Sequence, residues 1–144
     1  MNTNDIIIRK AENDDIEAVE TLLSTYFLDM DGVDIKDFIV AESGGRVLGC
    51  GAVIDQKYPE LHSIAVHPNH RSRGIGALLV EHIVANALDE WGHLYVRTTA
   101  PDFFNHVGFI KLQDSEKIKL WNDCAKCDKF EGCRQSAMRL YLKE

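Results

Sequence analysis

The stretch Glu60-Leu61-His62-Ser63-Ile64-Ala65-Val66-His67-Pro68-Asn69-His70-Arg71-Ser72-Arg73-Gly74-Ile75-Gly76 passes from an apolar run through a cationic loop into a helical pattern. Leu61 to Val66 reads as a strand. His67-Pro68 stops it, because proline biases its predecessor away from helix. Ile75, Leu78, Leu79 and Ile83 then recur at helical spacing, with Ala87 closing the same face. A strand, a loop from His67 to Gly74 and a helix aim free N–H groups and a positive dipole end at one spot, which suits a phosphate. Gly74 and Gly76 carry no Cβ to hold such a group away, and His67, His70, Arg71 and Arg73 supply cationic or potentially cationic side chains with no acid among them. Two glycines near a helix start also serve turns and packing alone; the two arginines favour an anionic ligand. The spacing is neither the Gly-Lys-Ser/Thr loop of nucleoside triphosphatases nor the G-x-G-x-x-G of dinucleotide folds.

Working outward, Ile6 to Arg9 reads as a first strand. A helix follows, in which Asp14 and Glu17 have capping-box spacing and Ile16, Val19, Leu22, Leu23 and Phe27 form the apolar face. Phe38 to Glu42 and Val47 to Ile54, joined through Ser43-Gly44-Gly45, read as a hairpin. Beyond the central helix come a strand from Leu94 to Thr98, a short helix from Asp102 to His106 and a strand from Phe109 to Leu112. Asp114 to Gln135 is mostly irregular. A last strand alternates Met138, Leu140 and Leu142 with Arg139 and Tyr141. The order implies a mixed α/β fold with helices on the faces of the sheet.

The 144 residues, 45% of them hydrophobic, suffice for a core of one domain spanning 1–144, with a Cys-containing tail segment at 114–136 before the last strand. A net charge of −7 argues against nucleic acid held by a general basic surface. The polar start from Met1 to Asp5, followed only by Ile6-Ile7-Ile8, implies neither a secretory leader nor a membrane span, and the expected location is the cytoplasm. Open sheet edges leave room for a homodimer.

Arg71-x-x-Gly74-x-Gly76, preceded by Glu60-Leu61 and Ala65-Val66-His67-Pro68, resembles the acetyl-CoA signature of the GNAT superfamily of N-acetyltransferases, and Phe103-Phe104-Asn105-His106-Val107-Gly108-Phe109 is similar to its later F-Y-x-x-x-G-F segment. Within that superfamily the chain resembles most the acetyltransferase domain of N-acetylglutamate synthases. The matching pieces are Val47 to Ala52, Lys57-Tyr58-Pro59-Glu60-Leu61, Ala65-Val66-His67-Pro68, Thr98-Thr99 with Phe103-Phe104, and Arg134-Gln135-Ser136. The resemblance implies a central, mostly antiparallel twisted sheet of six to seven strands. It implies that acetyl-CoA enters a splay between the fourth and fifth strands, pairs with the backbone of Ile64, Ala65 and Val66, rests its pyrophosphate on Arg71, Ser72, Arg73, Gly74, Ile75 and Gly76, and meets Thr99 and Phe104.

A protonated amine cannot attack a thioester, so a base is needed. The resemblance puts Glu60 where the superfamily often keeps one, and His62 is the rival; a regular strand would turn both to one face. The bland alternatives are a solvated strand-start acid and a packed histidine. Many members carry a tyrosine where this chain has Phe104, which cannot protonate a thiolate. An amino-acid acceptor calls for cationic and hydroxyl partners, and Lys57, Arg134 and Ser136 match residues that hold glutamate in the synthases. The arginine usual before the second strand is missing: Leu28-Asp29-Met30-Asp31-Gly32 is acidic, which would also suit a smaller or cationic amine.

Cys124, Cys127 and Cys133 form C-x2-C-x5-C, three candidate zinc ligands that need a fourth, which a histidine such as His106 could supply only if the tail folds back; the alternative is thiols that pack or oxidise. Cys50 sits in an apolar strand as a small core residue. The leading reading is acetyl transfer from acetyl-CoA to the α-amine of an amino acid, glutamate first and hence arginine biosynthesis. Its rivals are acetylation of another small amine or a peptide N-terminus, and a non-catalytic acyl-CoA sensor.

Overall fold

The computed structural model describes residues 5–30, 33–55, 59–71, 74–87, 92–98, 100–113 and 136–141. Seven strands among them form one sheet: β1 (Ile7–Lys10), β2 (Phe38–Ser43), β3 (Arg46–Asp55), β4 (Pro59–Val66), β5 (His93–Thr98), β6 (Ile110–Lys111) and β7 (Ser136–Tyr141). Their spatial order is β1-β2-β3-β4-β5-β7-β6. Every pairing is antiparallel except β4 with β5. A parallel pair needs a crossover, and α2 (Ile75–Ala87) supplies it. The seventh strand is inserted between β5 and β6, which no local pattern indicated.

Alternation along the strands divides the core between the two faces. On one, α1 (Ile16–Thr25) sets Val19, Leu22 and Leu23 against Phe38, Val40, Cys50, Ala52 and Ala65. On the other, α2 packs Ile75 and Leu79 against Ala41 and Leu48, and Val80 and Ile83 against Leu61, Leu94, Val96 and Met138. The short helix α3 (Pro101–His106) covers the same side through Phe104. No helix among the described residues is long and apolar enough to cross a membrane.

Two details around α1 differ from expectation. The entry is capped two residues earlier than Asp14 and Glu17: a turn at Asn13–Asp15 opens on Glu12, whose N–H donates to Asp15 Oδ2 at 2.8 Å. Asp15 is claimed there by Arg9, which reaches it with Nη1 at 2.8 Å and Nη2 at 3.0 Å and so ties β1 to the helix entry. At the other end Phe27 is not part of the apolar face; it is 99% exposed with φ +60°. Leu28 N–H bonds to Leu23 O and Phe27 N–H to Ser24 O, the Schellman pattern, with Phe27 where glycine usually stands. The helix ends before its periodicity does, and Tyr26 turns inward instead.

Candidate active site

The strands β4 and β5 share only two rungs, Glu60 with Tyr95 and Leu61 with Val96, and then part. Beyond that vertex β4 continues to Val66. His67 N–H donates to Leu48 O at 2.7 Å, so by alternation the amides and carbonyls of Ser63 and Ala65 face β3 while those of Ile64 and Val66 face the gap. The Val66 carbonyl accepts a hydrogen bond from the Tyr26 hydroxyl at 2.5 Å. Among the described residues, the gap therefore has one strand edge of extended backbone, along which Ile64 and Val66 turn their polar groups and Tyr26 takes the Val66 carbonyl.

The cationic loop lies at the wide end. Pro68–His70 forms a single turn, capped where His67 Nδ1 accepts from Asn69 N–H at 3.2 Å. Gly74 sits at φ +82°, a conformation that a side chain resists, and a Cβ there would meet nothing within 4 Å. Leu78 N–H bonds to Gly74 O, so the helical ladder starts there and the amides of the first turn of α2 point out of the helix end. Ile75 contributes only backbone, since its side chain is buried in the core. The guanidinium of Arg71 lies 5.7 Å from the centre of the Tyr26 ring, a cation–π contact linking the loop to α1. Gly76 has a second role: its Cβ would come 3.1 Å from Phe103 Cζ. Ser72 and Arg73 lie outside the described residues.

At the narrow end the strand is not regular. Ser63 opposes Ala52 and Leu61 opposes Val53, so a bulge leaves His62 as the extra residue of β4. Alternation is thus broken between Leu61 and Ser63 and no longer sets the face that His62 takes. Glu60 opposes Ile54, which packs with the α1 core, and so lies on the α1 face with Ser63 and Ala65. His62 is exposed, its Nδ1 2.8 Å from the hydroxyl of the buried Ser63. The Glu60 carboxylate is not a solvated strand-start acid. Its side chain is 8% exposed and meets Arg97 of β5, with Nε 3.1 Å from Oε2 and Nη2 3.4 Å from Oε1.

The cofactor contact expected of Phe104 meets a contrary placement. Phe104 is 3% exposed, with its ring edge-on to Phe103 at 5.0 Å and to Phe109 at 5.3 Å. The half-buried Phe103, over Gly76 and near Val66, is the aromatic at the gap. Ser136 opens β7 opposite Thr98 and shares the α2 and α3 face with Met138, so the sheet separates its side chain from Glu60. Thr98 Oγ1 accepts from Ala100 N–H at 2.9 Å and shapes the turn into α3. Lys57, Thr99, Arg134, Cys124, Cys127 and Cys133 lie outside the described residues. Among the described residues no group of three or more His, Cys, Asp or Glu could hold a metal. Cys50 is a buried core thiol, pushed up to about 12 by burial.

Sequence reasoning missed Arg97, Tyr26 and Ser63. Arg97 left one signal, a charge inside the apolar run from Leu94 to Thr98; the partner that explains it is supplied by strand register.

Comparison with known proteins agrees with this geometry. Residues 34–111 match the family model of the acetyltransferase (GNAT) domain. An uncharacterised N-acetyltransferase of Chlorobaculum tepidum is 38% identical over 109 residues, covering 72% of this chain and 70% of that protein. An amino-acid acetyltransferase of Mycobacterium tuberculosis is 30% identical over 121 residues, covering 74% and 70% respectively. Among solved structures, N-acetylglutamate synthase from Neisseria gonorrhoeae, complexed with coenzyme A and N-acetyl-glutamate, superposes with a TM-score of 0.79 at 21% identity, over 96% of this chain and 35% of that longer one. A split pair of strands, a glycine-bearing helix start beside it and a family match over more than half the length lead to one conclusion: the chain belongs to the GNAT family of N-acetyltransferases.

Proposed function

We propose that the protein transfers the acetyl group of acetyl-CoA to the α-amine of an amino acid, glutamate being the first acceptor to test and arginine biosynthesis the corresponding pathway. The observation that carries this reading is the parting of β4 and β5 beyond Leu61 and Val96, with the Ile64 and Val66 backbone turned into the gap and the first-turn amides of α2 at its wide end. A ligand with a pyrophosphate at one end and an amide-bearing arm suits both features. From Val66 to Leu61 the edge runs roughly 15 Å, and an extended pantetheine arm covers about that length, bringing the thioester beside Glu60.

The amine attacks the thioester carbonyl directly. Glu60, oriented by Arg97, takes a proton from the incoming ammonium; His62, hydrogen-bonded to Ser63, is the rival for that role. Lys57 and Arg134 are assigned to the acceptor's carboxylates by their resemblance to the synthases. Ser136 belongs to that set by resemblance only, because its strand turns it away from Glu60.

Thiol release from acetyl-CoA with a panel of amino acids, simple amines and peptides tests the reading. Turnover with glutamate or another α-amino acid supports it. Turnover restricted to peptides or to amines without a carboxylate would replace the acceptor class. Saturable coenzyme binding with no turnover on any amine would make the protein a sensor.

A further inference from the structure

The Val66 carbonyl that faces the gap has a partner within the chain. The Tyr26 hydroxyl donates to it at 2.5 Å, and the N–H of the same peptide unit, on His67, donates to Leu48 O at 2.7 Å. That peptide is thus held from both sides. The same tyrosine ring carries the Arg71 guanidinium at 5.7 Å from its centre. Tyr26 therefore holds two groups assigned above to the coenzyme: the strand edge that its arm would follow and a cation of the loop that would meet its pyrophosphate. An arm amide donating to the Val66 carbonyl would set its nitrogen about 2.9 Å from that oxygen, and the phenol oxygen stands at a similar distance. A phosphate offers the guanidinium charge-assisted bonds, which are stronger than its contact with an aromatic face. The turn that presents Tyr26 is itself strained. Tyr26 closes α1, and Phe27 follows it at φ +60°, a region that a bulky side chain resists. The Phe27 side chain is 99% exposed, so its own packing does not offset the strain. Strain of this kind persists where neighbouring contacts impose it, and it gathers at clamps and switches.

We propose that Tyr26 is a latch on the coenzyme site: it occupies the Val66 carbonyl and the Arg71 guanidinium, and coenzyme A takes both from it while the last turn of α1 relaxes. The inference rests on the reading that the gap between β4 and β5 receives acetyl-CoA. In the exchange an amide N–H of the arm replaces the phenol on the Val66 carbonyl, the pyrophosphate replaces the ring beside Arg71, and the phenol turns to water. The measured affinity is then that of the released form reduced by the fraction of protein released. A change that loosens the latch tightens coenzyme binding, and one that relieves strain in the latched turn weakens it. The competing arrangement is a carbonyl that accepts from both donors through its two lone pairs. The phenol would then steady the edge for the ligand, and losing it would weaken binding. The two arrangements predict opposite signs for one substitution.

The test is titration calorimetry with coenzyme A on the wild type and two variants. Tyr26→Phe keeps the packed ring and its face towards Arg71 and removes only the hydroxyl. Its Kd is expected to fall about 2- to 10-fold, the span of one hydrogen bond. Phe27→Gly relieves the left-handed residue of the latched turn, and its Kd is expected to rise about 5-fold. In the wild type, the near-ultraviolet tyrosine absorbance to the red of the adenine band should shift on binding, and Tyr26→Phe should lose that shift. A Kd that is unchanged or raised in folded Tyr26→Phe would overturn the latch and leave coenzyme binding standing. Should Tyr26→Phe fail to fold, a Phe27→Gly Kd at or below the wild-type value, or a wild type without the tyrosine shift, would overturn it equally. Failure of the wild type to bind coenzyme A would overturn the functional reading and this inference together.

Discussion

Replacing Gly76 by alanine asks whether the start of α2 is shaped for a phosphate or only for Phe103. The added Cβ would lie 3.1 Å from Phe103 Cζ and 3.2 Å from Cε1, a few tenths of an ångström inside ordinary contact. The neighbour is the edge of a half-buried ring, which can tilt. Overpacking of this mild kind costs about 1 kcal/mol, and the better helix propensity of alanine returns about the same amount. The stability measured by urea unfolding should therefore change by less than about 1 kcal/mol. The ligand side is not compensated. The methyl would lie 3.9 Å from Val66 Cγ2, between the helix end and the strand edge, and the tilted ring narrows the same opening. Losing a single charge-assisted amide contact, about 1.5–3 kcal/mol, raises the Kd for coenzyme A by roughly 10- to 100-fold. Gly74→Ala is the contrast: its Cβ meets nothing, but φ +82° imposes about 1–2 kcal/mol of backbone strain. Titration calorimetry with coenzyme A, paired with unfolding curves, separates the two effects. A Gly76→Ala protein that binds coenzyme A normally but is destabilised by several kcal/mol would refute the argument and reduce Gly76 to a packing residue.

Phe27→Gly should stabilise the protein by about 1 kcal/mol, because a fully exposed side chain loses no packing while the left-handed residue of the helix cap loses its strain; differential scanning calorimetry would show a Tm a few degrees higher. The Arg9 guanidinium holds the Asp15 carboxyl below its usual range. Asp15 therefore contributes stability that is complete above its unfolded value, about pH 4, and is lost as pH falls through the lower folded value. Asp15→Asn should cost about 2 kcal/mol at pH 7 and flatten the acid limb of stability against pH; an unchanged limb would contradict the clamp. Cys50, with its thiol buried and pushed up to about 12, should resist a thiol reagent at pH 8 in native protein and react fully in denaturant, as read by peptide mass mapping.

What could be read in the sequence was what is local in the chain. Leu61 to Val66, His67-Pro68, Gly74 and Gly76 announced a strand, a cationic loop and a helix, because strand alternation, proline stops and helical spacing act over a few residues. The hairpin through Gly44-Gly45 was legible for the same reason. What was hidden depends on register between distant segments. The insertion of β7 between β5 and β6, the bulge at His62 and the reach of Arg97 to Glu60 are each set by which rung meets which. Phe27 shows a limit of periodicity: the pattern continues through it, but the cap closes at Tyr26. Phe103 and Phe104 are adjacent aromatics, and only the packing of α3 against Phe109 and Gly76 decides which is sealed in the core.

One measurement decides whether the helix opened by Ile75 receives a pyrophosphate-bearing thiol in the cleft between β4 and β5. Isothermal titration of folded protein with coenzyme A should give a saturable, one-site isotherm that weakens in Gly76→Ala. Folded protein that releases no saturable heat with coenzyme A or acetyl-CoA would contradict it.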